Sequence, residues 1–245
     1  MTPALLGFKV LTFDCYGTLI DWETGIWDAL QPMLAENALH SVTRDAALDA
    51  YARFEKQAES DHPRDAYPVI LERTHAAITE HFGGKPNPDL DSTFGASVGG
   101  WPAFADSAVA LRFLKTHFRL VILSNVHREG FALSSQKLGV DFDAVYTAED
   151  IGSYKPSPAN FSYLLHHLER DFGIARHEVL HTAQSLYHDH APANAMGLAN
   201  AWINRAGARA AGSVEKGGSH THPDTVFTFS SLRAMADAVR IESEG

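Results

Sequence analysis

Short apolar runs recur along the chain, and each closes on a polar or turn-forming residue. Val10-Leu11-Thr12-Phe13 ends at Asp14, Leu120-Val121-Ile122-Leu123 ends at Ser124-Asn125, and Val179-Leu180 runs on to Thr182-Ala183. Ala144-Val145-Tyr146, Ala201-Trp202-Ile203 and Val226-Phe227-Thr228 are shorter examples. Continuous rather than alternating apolarity predicts strands buried on both faces, as in a parallel sheet. Helical spacing fills the gaps between runs. Ala105, Ala108, Leu111 and Leu114 share a stripe over 105–117; Phe161, Leu164, Leu165 and Leu168 share one over 158–170. Ser157 stands as N-cap of the second helix, with Pro158 in its first turn. Strands alternating with helices predict an α/β protein with a doubly wound, Rossmann-like parallel sheet and right-handed crossovers.

The segment 22–100 breaks that alternation. It carries helical patterns near 24–39, 44–60 and 65–82 and no convincing strand. It is expected to form an all-helical cap subdomain inserted into a core made of 1–21 and 101–245. The chain would leave it through the loop-like stretch from Gly95 to Pro102. A cap over the C-terminal edge of a parallel sheet excludes water from chemistry performed there. The Gly-, Ala- and Ser-rich stretch 206–224 is expected to be a mobile surface loop.

Composition narrows the function. The chain has 245 residues, 45% hydrophobic and 20% charged, which suits an ordinary globular protein. Its net charge of −10 argues against nucleic acid as a partner, because phosphates reward basic surfaces. A small anionic substrate stays open, since a local basic pocket suffices. The single cysteine, Cys15, precludes an internal disulfide and points to a reducing cytoplasm. No basic-then-apolar leader and no apolar run near the roughly 20 residues of a membrane span is visible, so no membrane association is expected.

The chemistry-bearing residues cluster where the runs end. Ligands of open α/β sheets bind at the C-terminal ends of strands, and a carboxylate delivered there can act as a nucleophile. Four such segments stand out: Asp14 with Thr18, Ser124-Asn125, Lys155 in Ser153-Tyr154-Lys155-Pro156, and Asp189 in His188-Asp189-His190. On these residues the chain resembles the haloacid dehalogenase superfamily. FDCYGTL matches the first motif, LSN the second, YKP the third and the Asp189 region the fourth. Phosphatases of that superfamily read DxDGT, the second Asp protonating the leaving alcohol and helping to hold magnesium. Here Tyr16 takes that place, and a phenol with a reference pKa of about 10 does neither job near pH 7. The DxYGT form resembles that of type II, L-specific 2-haloacid dehalogenases.

That resemblance implies a mechanism without cofactor or metal. Asp14 displaces halide from a short 2-haloalkanoic acid, and water cleaves the resulting ester to a 2-hydroxy acid. Lys155 would keep Asp14 ionised. Asp189 would orient Lys155 or activate the water, and Ser124 would hold the substrate carboxylate. In such enzymes an arginine of the cap accepts the halide. Arg53 is the best match, on a helical stripe beside the apolar face, with Asn125 assisting. A homodimer is implied by the same resemblance. One departure is plain: with Asp189 aligned, Gln184 and Leu186 replace a family serine and asparagine. Other readings stay open. Thr18 serves as a helix N-cap or a catalytic contact, Ser124-Asn125 as a cap of the next helix or a ligand, and Tyr154 as wall or participant. A shared metal on His188, Asp189 and His190 is disfavoured, since neighbours on a helix diverge. The alternatives to dehalogenation are a magnesium-dependent phosphatase for small phosphate esters and a non-catalytic relative of the scaffold.

Overall fold

A computed structural model describes residues 4–205 and 223–245. The loop expected over 206–224 lies almost wholly outside them, as do His220 and His222. The core is a six-stranded parallel sheet of β1 (Val10–Phe13), β2 (Arg119–Ser124), β3 (Ala144–Thr147), β4 (Val179–Ala183), β5 (Ala199–Ile203) and β6 (Phe227–Phe229). The spatial order is β3-β2-β1-β4-β5-β6. From β1 the chain builds the sheet outward on one side through β2 and β3 and on the other through β4 to β6. In open α/β sheets the ligand crevice lies at the carboxyl ends of the strands flanking such a reversal. The sheet is the α/β, Rossmann-like core that the apolar runs predict.

The two sheet faces are covered by different helices. Leu11, Phe13, Ile122, Leu180 and Ile203 join a core with α5 (Ser107–Leu114), α6 (Arg128–Leu138) and α10 (Leu232–Glu244). Val10, Val121, Leu123 and Val179 pack with Phe161, Leu164 and Leu168 of α8 (Pro158–Phe172) on the opposite face. Every residue of β1 and β4 is buried, which explains why their sequences run apolar rather than alternate.

Between β1 and α5 stand four further helices: α1 (Trp22–Glu36), α2 (Arg44–Asp61), α3 (Tyr67–His81) and α4 (Pro88–Gly95). The first three match the expected helical stretches, with ends shifted by a few residues. The fourth is short, opens on Asn87 and Pro88, and has too few apolar positions to announce itself in the sequence. The two linkers that join these helices to the core run side by side. Asp21 N–H donates to Pro102 O at 2.8 Å and Phe104 N–H to Leu19 O at 3.1 Å. Trp101 packs edge-on against Tyr16 at 5.4 Å between ring centres. Gly25 gives it room, since a Cβ there would lie 2.2 Å from the Trp101 ring. No helix among the described residues is long and apolar enough to cross a membrane.

Candidate active site

Three strands and a turn bring the charged residues together. Asp14 follows β1 directly, and its N–H still bonds Thr182 O of β4 at 3.1 Å, so the carboxylate is mounted on the sheet itself. The chain then turns at Gly17, whose φ of +97° suits glycine. A Cβ there would meet Trp22 Nε1 at 3.1 Å and Gln184 Oε1 at 3.3 Å. The turn returns Thr18 beneath Asp14. The Thr18 hydroxyl donates to Asp14 Oδ2 at 2.7 Å and accepts the Gln184 N–H at 2.9 Å. Thr18 therefore contacts the candidate nucleophile rather than capping a helix; the cap of α1 is Asp21.

Lys155 is 2% exposed and meets three acceptors: Asp14 Oδ1 at 2.9 Å, Asp189 Oδ1 at 2.7 Å and Leu123 O at 3.1 Å. Burial pulls its ammonium toward the neutral form, but the charges of Asp14 and Asp189 outweigh that and hold its pKa above the ordinary lysine value. Asp189 shows the reverse balance. Burial raises its pKa, and Lys155 with a hydrogen bond from His181 overrides this and keeps the carboxyl well below the usual range. Burial pushes Asp14 up, with the charge of Asp189 adding to the effect and Lys155 and Thr18 opposing it. One ammonium thus serves two buried carboxylates.

Asn125 braces the lysine through its backbone. Its Oδ1 accepts Lys155 N–H at 2.6 Å and its Nδ2 donates to Lys155 O at 3.1 Å. The same Nδ2 reaches Glu59 Oε1 of α2 at 3.3 Å. These contacts occupy the amide that was expected to assist the halide. Ser124 is buried at the tip of β2, within 3.5 Å of Val126 N–H. The Tyr154 hydroxyl donates to Asp65 O at 2.7 Å, which makes Tyr154 a wall between core and inserted helices. Tyr16 turns its hydroxyl to Ser134 Oγ at 2.9 Å, and burial raises its pKa well above the ordinary phenol value.

Arg53 is not brought to the site. Its guanidinium lies on the exposed face of α2, 3.2 Å from His81 Nδ1 and 4.4 Å from the centre of the Phe54 ring. The buried side of α2 carries Ala47, Ala50, Tyr51, Ala58 and Glu59, and a residue two places from Tyr51 points away from it. The side chains that α2 turns inward near the site are acidic. Glu55 Oε1 accepts hydroxyls from Tyr51 at 2.8 Å and Tyr67 at 2.5 Å, and burial raises its pKa. Burial and then the charge of Glu55 raise Glu59 further.

His188, Asp189 and His190 lie on a turn of π-helix, Leu186–His190, and face three ways. His188 Nδ1 is 3.3 Å from Ser185 Oγ, Asp189 meets Lys155, and His190 Nε2 donates to Ala183 O at 2.9 Å. His181, on β4, lies 3.0 Å from Asp189 Oδ1 and belongs to the same cluster. No group of three or more His, Cys, Asp or Glu among the described residues is arranged to hold a metal ion.

A family model for haloacid dehalogenase-like hydrolases matches residues 8–182, well over half of the chain. The chain belongs to the haloacid dehalogenase-like hydrolases. No curated protein matches this hydrolase in sequence. Solved structures similar to it include the L-2-haloacid dehalogenase from Xanthobacter autotrophicus (TM-score 0.77, 19% identity, 95% of this chain and 98% of that one). A defluorinating L-2-haloacid dehalogenase gives a TM-score of 0.73 at 20% identity, over 95% of both chains. YfnB from Bacillus subtilis, described as a HAD-hydrolase and bound to magnesium, gives 0.74 at 16% identity, over 95% of this chain and 99% of that one. At these identities the likeness shows a shared fold.

Proposed function

We propose that this hydrolase cleaves carbon–halogen bonds of small organic halides, with short 2-haloalkanoic acids the first class to test. The observation that carries the reading is Tyr16. At the position where phosphatases of the family place a second carboxylate, the hydroxyl is bonded to Ser134 and its pKa is raised by burial. It supplies neither a proton for an alkoxide nor a charge for a cation. Halide leaves without a proton, so an acid at that place is dispensable.

The reaction would run in two steps. An Asp14 carboxylate oxygen attacks the halogen-bearing carbon, the carbon–halogen bond breaks, and halide departs with the electron pair. Water then adds to the carbonyl carbon of the Asp14 ester and releases the 2-hydroxy acid. Lys155 holds Asp14 by one oxygen and Thr18 by the other, which fixes the attacking group in place. With Arg53 on the far face of α2, the halide lacks the cation that the resemblance supplied. Chloride and bromide are therefore better first leaving groups than fluoride, whose bond demands stronger stabilisation.

The structural similarity to magnesium-bound YfnB favours a second reading, a phosphatase of the same fold. The donor set argues against it, because the Lys155 ammonium already takes an oxygen from each of the two carboxylates that would share an ion. The deciding experiment supplies L-2-chloropropionate in heavy-oxygen water. Chloride release, with the label appearing in Asp14 after one turnover and lost in Asp14→Asn, is the expected result. No halide from any short haloacid, together with magnesium-dependent turnover of a phosphate ester, would overturn the proposal. Neither activity would leave the non-catalytic scaffold.

A further inference from the structure

We propose that His181 is the positioning residue for the hydrolytic half of the reaction: it holds Asp189 by one oxygen and leaves the other for the water that cleaves the Asp14 ester. The inference rests on the covalent reading above. His181 is fully buried in β4, opposite Thr12 in the β1–β4 register. Its Nε2 lies 3.0 Å from Asp189 Oδ1, and Thr12 Oγ1 lies 2.9 Å from its Nδ1. Phe161 of α8 packs edge-on against the ring at 5.1 Å. Both ring nitrogens are thus engaged and the ring plane is fixed. Ionised Asp189 only accepts, so the Nε2 hydrogen donates to it.

Asp189 Oδ1 therefore receives two donors, Lys155 at 2.7 Å and His181 at 3.0 Å. Asp189 Oδ2 is buried and has no hydrogen-bond partner among the described residues. An ionised oxygen without a donor is costly in a protein interior, and such an atom calls for a role. Lys155 places it within two hydrogen bonds of Asp14. Without His181 the carboxylate would be free to rotate and give both oxygens to Lys155, and the base would be lost. In the step assigned to it, Oδ2 takes one proton from water as the hydroxyl adds to the Asp14 carbonyl carbon. The bond from that carbon to the alkyl oxygen then breaks, and the departing alkoxide takes the proton back. The remaining water proton leaves when the Asp14 carboxyl ionises again.

The test compares the two halves of the reaction in the full-length protein with L-2-chloropropionate. Rapid quench and intact mass follow the Asp14 ester while chloride is measured in parallel. His181→Phe keeps the bulk and loses the donor; His181→Gln places an amide N–H near the Nε2 position. In His181→Phe, the chloride burst should persist while ester decay slows roughly tenfold or more, as expected for a lost hydrogen bond to a charged group. The acid limb of ester decay should move to higher pH, because a carboxylate that loses a donor gains basicity. His181→Gln should restore much of both. Thr12→Val, which frees the ring but keeps the donor, should slow ester decay to a lesser degree and carries the test if His181→Phe does not fold. Unchanged ester lifetime in the folded variants would overturn this inference alone. A wild-type protein that never forms the ester would overturn the covalent reading and this inference with it.

Discussion

Replacing Lys155 by Met removes the ammonium and keeps an apolar chain of similar length. The consequence follows from burial. Lys155 is 2% exposed, Asp14 is 7% and Asp189 is 0% exposed. Removing one member of a buried ion pair costs about 3–5 kcal/mol. For a chain of this size that lowers Tm by roughly 6–20 °C. The cost should depend on pH. Two carboxylates left facing each other in a poorly solvated site share one proton, whose folded-state pKa rises above the unfolded carboxylate value of about 3.9. A raised pKa gives stability that is complete below the unfolded value and fades as pH climbs through the raised one. Lys155→Met should therefore lose up to about 1.4 kcal/mol for each unit of rising pH. In the wild type the Asp189 carboxyl is depressed, so its contribution is whole above about 3.9 and lost only in stronger acid. Asp14, raised by burial even beside Lys155, lends the wild type a shallower slope of the variant's sign. Urea unfolding followed by circular dichroism at pH 5 and pH 8 should show the gap between the proteins widening with pH. A gap that is absent, or the same at both pH values, would refute the assignment of Lys155 as the shared counter-ion.

Two further outcomes follow from α2. Arg53→Ala should change stability by no more than about 0.5 kcal/mol and halide release by about twofold at most, because its guanidinium rests outside on Phe54 and His81; a loss of two orders of magnitude in kcat would contradict that placement. Glu59→Gln keeps an acceptor for Asn125 but removes a carboxyl whose pKa is raised by burial and by Glu55. The stability that Glu59 contributes is whole below the unfolded carboxyl value of about 4.3 and fades as pH rises through its raised value, so thermal melts should find the variant gaining on the wild type as pH climbs from about 4, and a constant difference would count against the buried acid.

Most of the sheet was legible because strands buried on both faces read as unbroken apolar runs, and the acids at their ends were visible as the runs' terminators. Asp14 stood out in this way; Lys155 and Asp189 lie beyond the ends of their runs and were singled out by the motifs that carry the family resemblance, and the structure places both beside Asp14. Arg53 was misplaced because a stripe on a helical wheel gives neighbours but not which side faces inward. Only the packing of α2 through Ala47, Tyr51 and Ala58 fixes that. Glu55 and Glu59 went unnoticed for the same reason. His181 was hidden inside an apolar run. A signal did exist: Thr12 and His181 are polar residues in strands with no solvent face, and buried polar groups are partnered. The helix α10 carries Leu232, Met235, Ala236 and Val239 at helical spacing yet was not among the expected elements, and α6, which mixes apolar and polar positions, was missed as well.

Asp14, Lys155, Asp189 and His181 are all rooted in the sheet or the loops that leave it, while the inserted helices contribute Glu55, Glu59 and Tyr67. Under the mechanism proposed above, bond-making falls to one stretch of the polypeptide while the site's outer wall comes from another. Exchanging the segment between the paired linkers at Asp21 and Pro102 for that of another protein of this architecture would replace that wall while leaving Asp14, Lys155, Asp189 and His181 on their own scaffold, provided the newcomer supplies substitutes for Glu59 at Asn125 and for Asp65 at Tyr154.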